Sequence, residues 1–433
     1  MDAALPTPPA PSERGRGIPV LFRHGTEKQL LIFAAVCLGA VWAFCNAVLG
    51  PTDDVEVWYA KWQLIEDGSV PYRDFSFSYP PLAIVLFTVP GLASGTVGGF
   101  YAVFSAQMLA VAWLTVLMVS RTASRMGLDG FRTAALYFIV LLMYSTELTK
   151  KLDIVPAAAV LSALWLWLSG RRTGAYLMLA VGTLIKIYPV FLIPVFLIAS
   201  ASSPGGGRRS GMLKGIAVAA GLGAAAVILM LVAGVPVSGL SDAFLSQTGR
   251  SFQAESVPGN ITHLLGLIGI SDYGVAESAH TYIITQGPLA GFRDGWIWVT
   301  GALCALSYII IWLFGRRRFG GDPARLLALG SCLTVLAVLL SYMVFSTQYM
   351  LWVVTILPFA IMSERDPGAR LKMQAAYLAL FPVLLPLMFW YLFGTGEAAA
   401  ALSVLVRNLL LLWFALRMIS SLSGRPIGLP RRQ

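Results

Sequence analysis

Apolar residues come in long unbroken blocks along this chain, separated by short charged clusters and two longer polar stretches. A block of about 20 apolar residues is long enough to cross a bilayer as a helix. The blocks are continuous, which excludes a membrane barrel, whose strands alternate outward and inward positions. Blocks read as spans cover about 29–49, 97–120, 131–146, 153–169, 212–234, 295–314, 325–345, 348–363, 373–393 and 398–420. The block 173–201 differs, because basic clusters flank both ends: Arg171 and Arg172 before it, Arg208, Arg209 and Lys214 after it. Both ends therefore belong on one side. That predicts two short helices broken at Lys186-Ile187-Tyr188-Pro189, since Pro189 lacks an N–H and ends or kinks a helix. Broken helices in lipid line cavities, where freed backbone groups find partners. The block 81–93 is too short to span and reads as re-entrant or interfacial.

The pattern implies an all-α polytopic transmembrane bundle of about 12 crossings, because lipid tolerates only structures that satisfy their own backbone. Its polar interruptions are outer loops at about 50–80 and 235–288. In the first loop Val55, Trp58, Tyr59, Trp62 and Ile65 recur at helical spacing. They predict a short helix with an aromatic stripe, suited to the membrane interface, and stopped near Gly68.

Composition first suggests nucleic acid, with 31 Lys and Arg against 21 Asp and Glu. Position removes that reading. All the cations except Lys61, Arg73, Lys150, Lys151, Lys186, Arg250, Arg293 and Arg407 fall at one set of span ends. The excess is a topology signal that puts both tails, 1–28 and 421–433, in the cytoplasm around one membrane domain, 29–420. Cys37, Cys45, Cys304 and Cys332 lie inside apolar blocks and read as packing residues. No Walker A loop, dinucleotide fingerprint or HExxH is present. An activated sugar reaching an outer site would then come from a lipid carrier.

Asp53 and Asp54 open the predicted loop helix. Asp53 with Glu56 fits a capping box. Asp54, beside Trp58 and Tyr59, is the candidate general base for a sugar hydroxyl. Asp153 stands at the outer end of a span, where a carboxylate is either interfacial or faces a cavity. Lys186, inside an apolar block, is expected to be paired or to bind an anion such as phosphate, with Tyr188 beside it. Arg250 and Glu255 form either a solvated ion pair or a phosphate clamp with its carboxylate. Arg407 lies mid-span and is expected to pair with a carbonyl or a neighbouring helix. His263 and His280 have no metal-ligand spacing, and no metal or cofactor is expected.

Asp54-Val-Glu-Val-Trp-Tyr59, Val70-Pro-Tyr-Arg-Asp-Phe75 and Tyr79-Pro-Pro-Leu-Ala83 together resemble the first outer loop of GT-C glycosyltransferases. Further motifs follow in order: Asp153-Ile-Val-Pro156, Lys186-Ile-Tyr-Pro189, Glu255-Ser-Val-Pro-Gly259 after Arg250, and Ser346-Thr-Gln348-Tyr349 before Trp352. They are most similar to glycosyltransferase family 87, polyprenol-phosphate-mannose-dependent α-1,2-mannosyltransferases. The resemblance implies an inverting sugar transfer from a polyprenyl-phosphate carrier to a lipid or glycan hydroxyl, on the extracytoplasmic face of the cell membrane. It makes Asp54 the base and Lys186, Tyr188 and Arg250 the donor-phosphate ligands. Asp53, Trp58, Tyr59, Tyr79, Asp153, Glu255 and Gln348 complete the expected site. Ser78 stands where related sequences often carry an acid before Tyr-Pro-Pro. Two other classes fit the same pattern. A transporter or flippase of lipid-linked sugars would more often show inverted repeats, which are not evident. A ligase using lipid-diphosphate donors would differ in carrier.

Overall fold

A computed structural model describes residues 26–51, 53–202, 207–245, 251–278 and 281–424. The expected tails fall mostly outside the described residues, as do Arg250 and His280.

Helix α1 (Glu27–Phe44) starts at a Thr26–Gln29 capping box and loosens into a π turn ending at Gly50. Next come α2 (Asp53–Glu66) and α3 (Ala83–Ala93), which is about 16 Å long and so too short to span. Then follow α4 (Val97–Arg125), α5 (Gly130–Met143), the single turn α6 (Ser145–Leu148) and α7 (Ile154–Leu168). Helices α8 (Arg172–Ile185) and α9 (Ile193–Ala201) flank the predicted break, where Lys186 is extended and Tyr188–Leu192 form a 3-10 turn. After α10 (Gly207–Val232), the second polar stretch folds into α11 (Val237–Leu245), α12 (Val257–Leu267) and an antiparallel hairpin, β1 (Gly274–Ser278) and β2 (Thr281–Gln286). Helix α13 (Trp296–Ile310) continues through a π turn into α14 (Arg316–Phe319), and α15 (Pro323–Ser341) returns. The chain closes with α16 (Met350–Val354), α17 (Leu357–Met362), α18 (Pro367–Ala379), α19 (Leu385–Phe393) and α20 (Glu397–Ser423).

Among the described residues, 7 helices are long and apolar enough to cross a membrane, and 5 apolar helices are shorter. The protein is therefore a polytopic helical membrane protein. Two expected single spans are interrupted. Block 348–363 is divided between α16 and α17, with Pro358 at the second helix's start, and block 373–393 is divided by a 3-10 turn at Pro382. Proline removes the N–H that would bond across each break. The small hairpin is an exception to the all-α expectation.

The aromatic stripe of α2 faces protein, which corrects the expectation of a stripe turned to the interface. Trp58 is buried against Phe87 and Phe104 at ring distances of 5.1 and 5.0 Å. Tyr59 donates its hydroxyl to the Gly95 carbonyl at 2.7 Å. Gly91 of α3 is in such close contact with Trp62 that a Cβ there would lie 2.1 Å from the indole. Burying large aromatic rings this way gives α2 a fixed seat, which a helix this short does not get from propensity alone.

The break after α8 is closed by the first loop. The Leu82 N–H donates to the Leu184 carbonyl at 2.8 Å, which a continuous helix would have used itself. Tyr308 donates to the Phe191 carbonyl at 2.8 Å on the other side of the break. The freed backbone groups are thus satisfied by distant segments, and the Tyr79-Pro80-Pro81 turn is tied to the Lys186 turn.

Candidate active site

The segment Lys151-Leu152-Asp153, between α6 and α7, joins two acid–base pairs. Lys151 bonds Asp54 at the start of α2, and both side chains remain partly open to solvent. Asp153 Oδ1 receives Lys186 Nζ at 2.6 Å and the Trp352 indole N–H at 2.8 Å. Asp153 is buried and paired, so it is not a solvated interfacial carboxylate. The Lys186 ammonium also lies 4.1 Å from the Tyr349 ring centre and 5.4 Å from that of Trp352. Tyr188, Trp352 and Tyr349 form one stack, with ring centres 4.2 and 4.5 Å apart. The Tyr188 hydroxyl is buried and has no hydrogen-bond partner among the described residues. Tyr79 is 5.9 Å from the Lys186 ammonium, measured to the ring centre. Gln348 sits half-buried in the short turn Thr347–Tyr349 beside this stack.

Glu255 is positioned by a different device. The segment Phe252–Ala254 pairs with β2: the Ile284 N–H donates to Phe252 at 2.8 Å and the Ala254 N–H to Tyr282 at 2.9 Å. The Gln253 N–H donates to the Met343 carbonyl at 3.0 Å, and Ser346 donates to the Gln253 side chain at 3.0 Å. Thr347 and Tyr391 then donate to the Glu255 carboxylate at 2.9 and 2.8 Å. Arg407 completes the shell from α20, with Nη1 at 3.5 Å from that carboxylate and Nη2 on the Glu255 carbonyl. Its guanidinium lies 3.9 Å from the Phe345 ring centre and also bonds Asn408. Burial pushes the Glu255 carboxyl above its usual range, and Arg407 pulls it back. Burial likewise raises Glu147, offset by Lys150 and reinforced by the negative charges of Glu255 and Asp153. Glu147, Asp153 and Glu255 therefore share one electrostatic neighbourhood with Lys150, Lys151 and Arg407.

Lys186 thus joins Asp153 and Tyr79, Trp352 joins Asp153 and Tyr188, and the Thr347–Tyr349 turn that holds Gln348 reaches Glu255. Trp58 lies 6.3 Å from Tyr79, and Asp54 is tied to the segment of Asp153 through Lys151, whereas Tyr59 turns to Gly95 and Phe100. The side chain of Asp53 and the whole of Arg250 lie outside the described residues. Sequence reasoning passed over Lys151 and Glu147 as span markers, and missed Tyr391.

A protein-family model described as glycosyltransferase family 87 matches residues 77–341, more than half of the chain. The chain belongs to glycosyltransferase family 87. It is accordingly a membrane glycosyltransferase, which sets aside the transporter reading. No curated protein matches it. The family match includes Asp153, Lys186, Tyr188 and Glu255 and begins after Asp54.

Proposed function

We propose that this family 87 enzyme has a GT-C fold and transfers a sugar, mannose in the first instance, from a polyprenyl-phosphate carrier to a lipid or glycan hydroxyl on the extracytoplasmic face. The observation that carries the reading is the partly open Asp54–Lys151 pair at the N-terminus of α2, next to the buried Lys186–Asp153 pair at the helix break. Of the carboxylates in the three pairs, Asp54 has the most exposed side chain, at 33%, and it has Lys151 as a neighbouring cation. It accepts the proton of the acceptor hydroxyl while that oxygen attacks the anomeric carbon, with inversion. The bond from the anomeric carbon to the phosphate oxygen breaks, and polyprenyl phosphate leaves.

Positive charge near the leaving phosphate lowers the barrier because it meets charge that grows in the transition state. Lys186 and Arg250 are assigned to that role, with the Tyr188 hydroxyl as a further donor. Lys186 serves it by sharing its ammonium between Asp153 and the phosphate. The buried stack of Tyr188, Trp352 and Tyr349 holds the Lys186 ammonium against its rings. Charge sorting supports the orientation, with both termini cytoplasmic.

The test is donor choice in proteoliposomes. Labelled polyprenyl-phosphate mannose and a phosphatidylinositol mannoside acceptor are expected to give labelled glycolipid. Turnover with a lipid-diphosphate sugar and none with the monophosphate would contradict the carrier assignment.

A further inference from the structure

A charged cavity, with a volume of 570 Å³, lies between the turn before α15, the end of α17 and the last turns of α20. Its walls carry Arg318, Arg325, Arg365 and Arg417 against only Asp322 and Glu364. Both carboxylates have local duties. Asp322 accepts from the Arg325 backbone N–H at 3.1 Å and so caps α15. Glu364 accepts from the backbone N–H groups of Arg365 and Asp366 at 2.9 and 3.2 Å, and from Arg417 Nη2 at 3.0 Å. Among the described residues, no carboxylate comes within ion-pair distance of Arg318, Arg325 or Arg365. The Nε atoms of Arg325 and Arg417 are buried without a hydrogen-bond acceptor. Buried donors on a charged group are costly to leave unpaired, so such a cluster is built to meet an anion.

The cavity is separate from the site at Asp54. Helix α15 has 19 residues and so is about 28 Å long. The cavity opens at its first turn, whereas the chain just past its last turn, at Met343, accepts the Gln253 N–H. Beyond Gly424 the sequence carries Arg425, Arg431 and Arg432 and neither Asp nor Glu.

We propose that this cavity binds a phosphate group, held by forked contacts from Arg318, Arg325 and Arg365 against the Phe319 ring. A guanidinium meets two oxygens at a time, and a phosphomonoester or diphosphate has oxygens enough for three such groups, where a carboxylate has two and chloride is a single centre. Phe319 stands under two of them, 5.7 Å from Arg318 and 5.0 Å from Arg325. In the orientation proposed above the cavity faces the cytoplasmic leaflet, where the phosphate belongs either to an anionic lipid headgroup or to a soluble compound.

Two melting series on the full-length protein separate these sources. In phosphatidylcholine nanodiscs, inorganic diphosphate is titrated at constant ionic strength. In the second series, phosphatidylglycerol replaces part of the phosphatidylcholine. A saturable rise in Tm with diphosphate identifies a soluble phosphate ligand, and a rise only with phosphatidylglycerol identifies the headgroup. In either case Arg318→Gln/Arg325→Gln should raise the half-maximal concentration by on the order of tenfold, as loss of two charge-assisted contacts requires. Arg365→Gln changes an exposed side chain, so it keeps the test decisive should the double variant fold poorly, and it should produce a smaller shift in the same direction. No saturable rise in either series, or variants that respond like the wild type, would overturn the proposal.

Discussion

Two carboxylate–cation pairs show how differently one chemistry can be used. Asp54 and Lys151 keep 33% and 23% of their side chains exposed. Glu255 and Arg407 keep 4% and 0%. The first pair is partly open to solvent, which is what the proposed exchange of its partner for a substrate group requires. The second is enclosed by Thr347, Tyr391, Asn408 and Phe345, and every move away from Arg407 would strand a charge in a dry interior. Exposure therefore separates the pair proposed for proton transfer from the pair that ties α20 to the second long polar stretch. The Lys186–Asp153 pair lies between them, with 12% and 3% exposed, at the seam of the broken helix.

Removing one partner from the closed pair should have the largest effect on stability. Arg407→Ala is expected to cost about 3–5 kcal/mol, because Glu255 is left buried and unpaired. Denaturation in detergent would read this as a large loss of Tm, and an unchanged Tm would break the comparison. Lys186→Met poses the same problem for Asp153 in a site that retains the Trp352 hydrogen bond, so a loss of about 3 kcal/mol or somewhat less is expected. Lys186→Arg should restore the melting temperature while leaving donor KM altered, which separates the structural part of this lysine from its part in binding.

The seat of α2 gives a third measure. Gly91→Ala forces the Trp62 ring to move, because the new Cβ would stand 2.1 Å from it. Overpacking of this kind costs about 1–3 kcal/mol. If Asp54 depends on the seat, transfer by this variant should fall more than its stability does. Lys151→Ala is the reverse case. An ion pair this exposed contributes about 1 kcal/mol or less, so folding should barely change while transfer drops. Equal losses of both would erase the distinction between open and closed pairs.

The smallest effect is expected at Asp74, which caps the Val70 N–H at 2.7 Å and holds Arg73 Nη2 at 2.8 Å. The hydrogen bond from Arg73, followed by that from Val70, lowers the Asp74 carboxyl to about 2. A depressed carboxyl stabilises the fold above its ordinary value and loses that contribution as pH falls toward the folded value. A slight acid sensitivity between pH about 4 and about 2 should disappear in Asp74→Asn, as followed by intrinsic fluorescence of the loop.

Much of the fold could be read from residue patterns. The 3.6-residue spacing of Val55, Trp58, Tyr59 and Trp62 located α2, and Pro189 located the break after α8. The direction of the α2 stripe was not legible, since aromatic residues suit an interface and a core equally well. Five of the eight cations outside the charge sorting sit in carboxylate pairs. Arg73, Lys151, Lys186, Arg293 and Arg407 each bond a carboxylate. Which carboxylate was legible only for the neighbours Arg73–Asp74 and Arg293–Asp294. Lys151 meets Asp54 and Arg407 meets Glu255 across long stretches of chain, and no local period encodes such contacts. The hairpin that supports Glu255 was hidden for a related reason. Its strands are short, and their pairing with Phe252–Ala254 supplies the order that their own composition does not.

The most direct measurement is sugar transfer by Asp54→Asn beside Asp54→Glu in reconstituted membranes, with donor binding and melting temperature followed on the same samples. Asp54→Asn should lose about 10²–10⁴-fold in turnover, the usual contribution of a positioned base, while melting and donor binding stay near wild type. Asp54→Glu should recover part of that loss. Turnover by Asp54→Asn at the wild-type rate would contradict the assignment of Asp54 as the base, and with it the functional difference drawn between the open pair and the closed one.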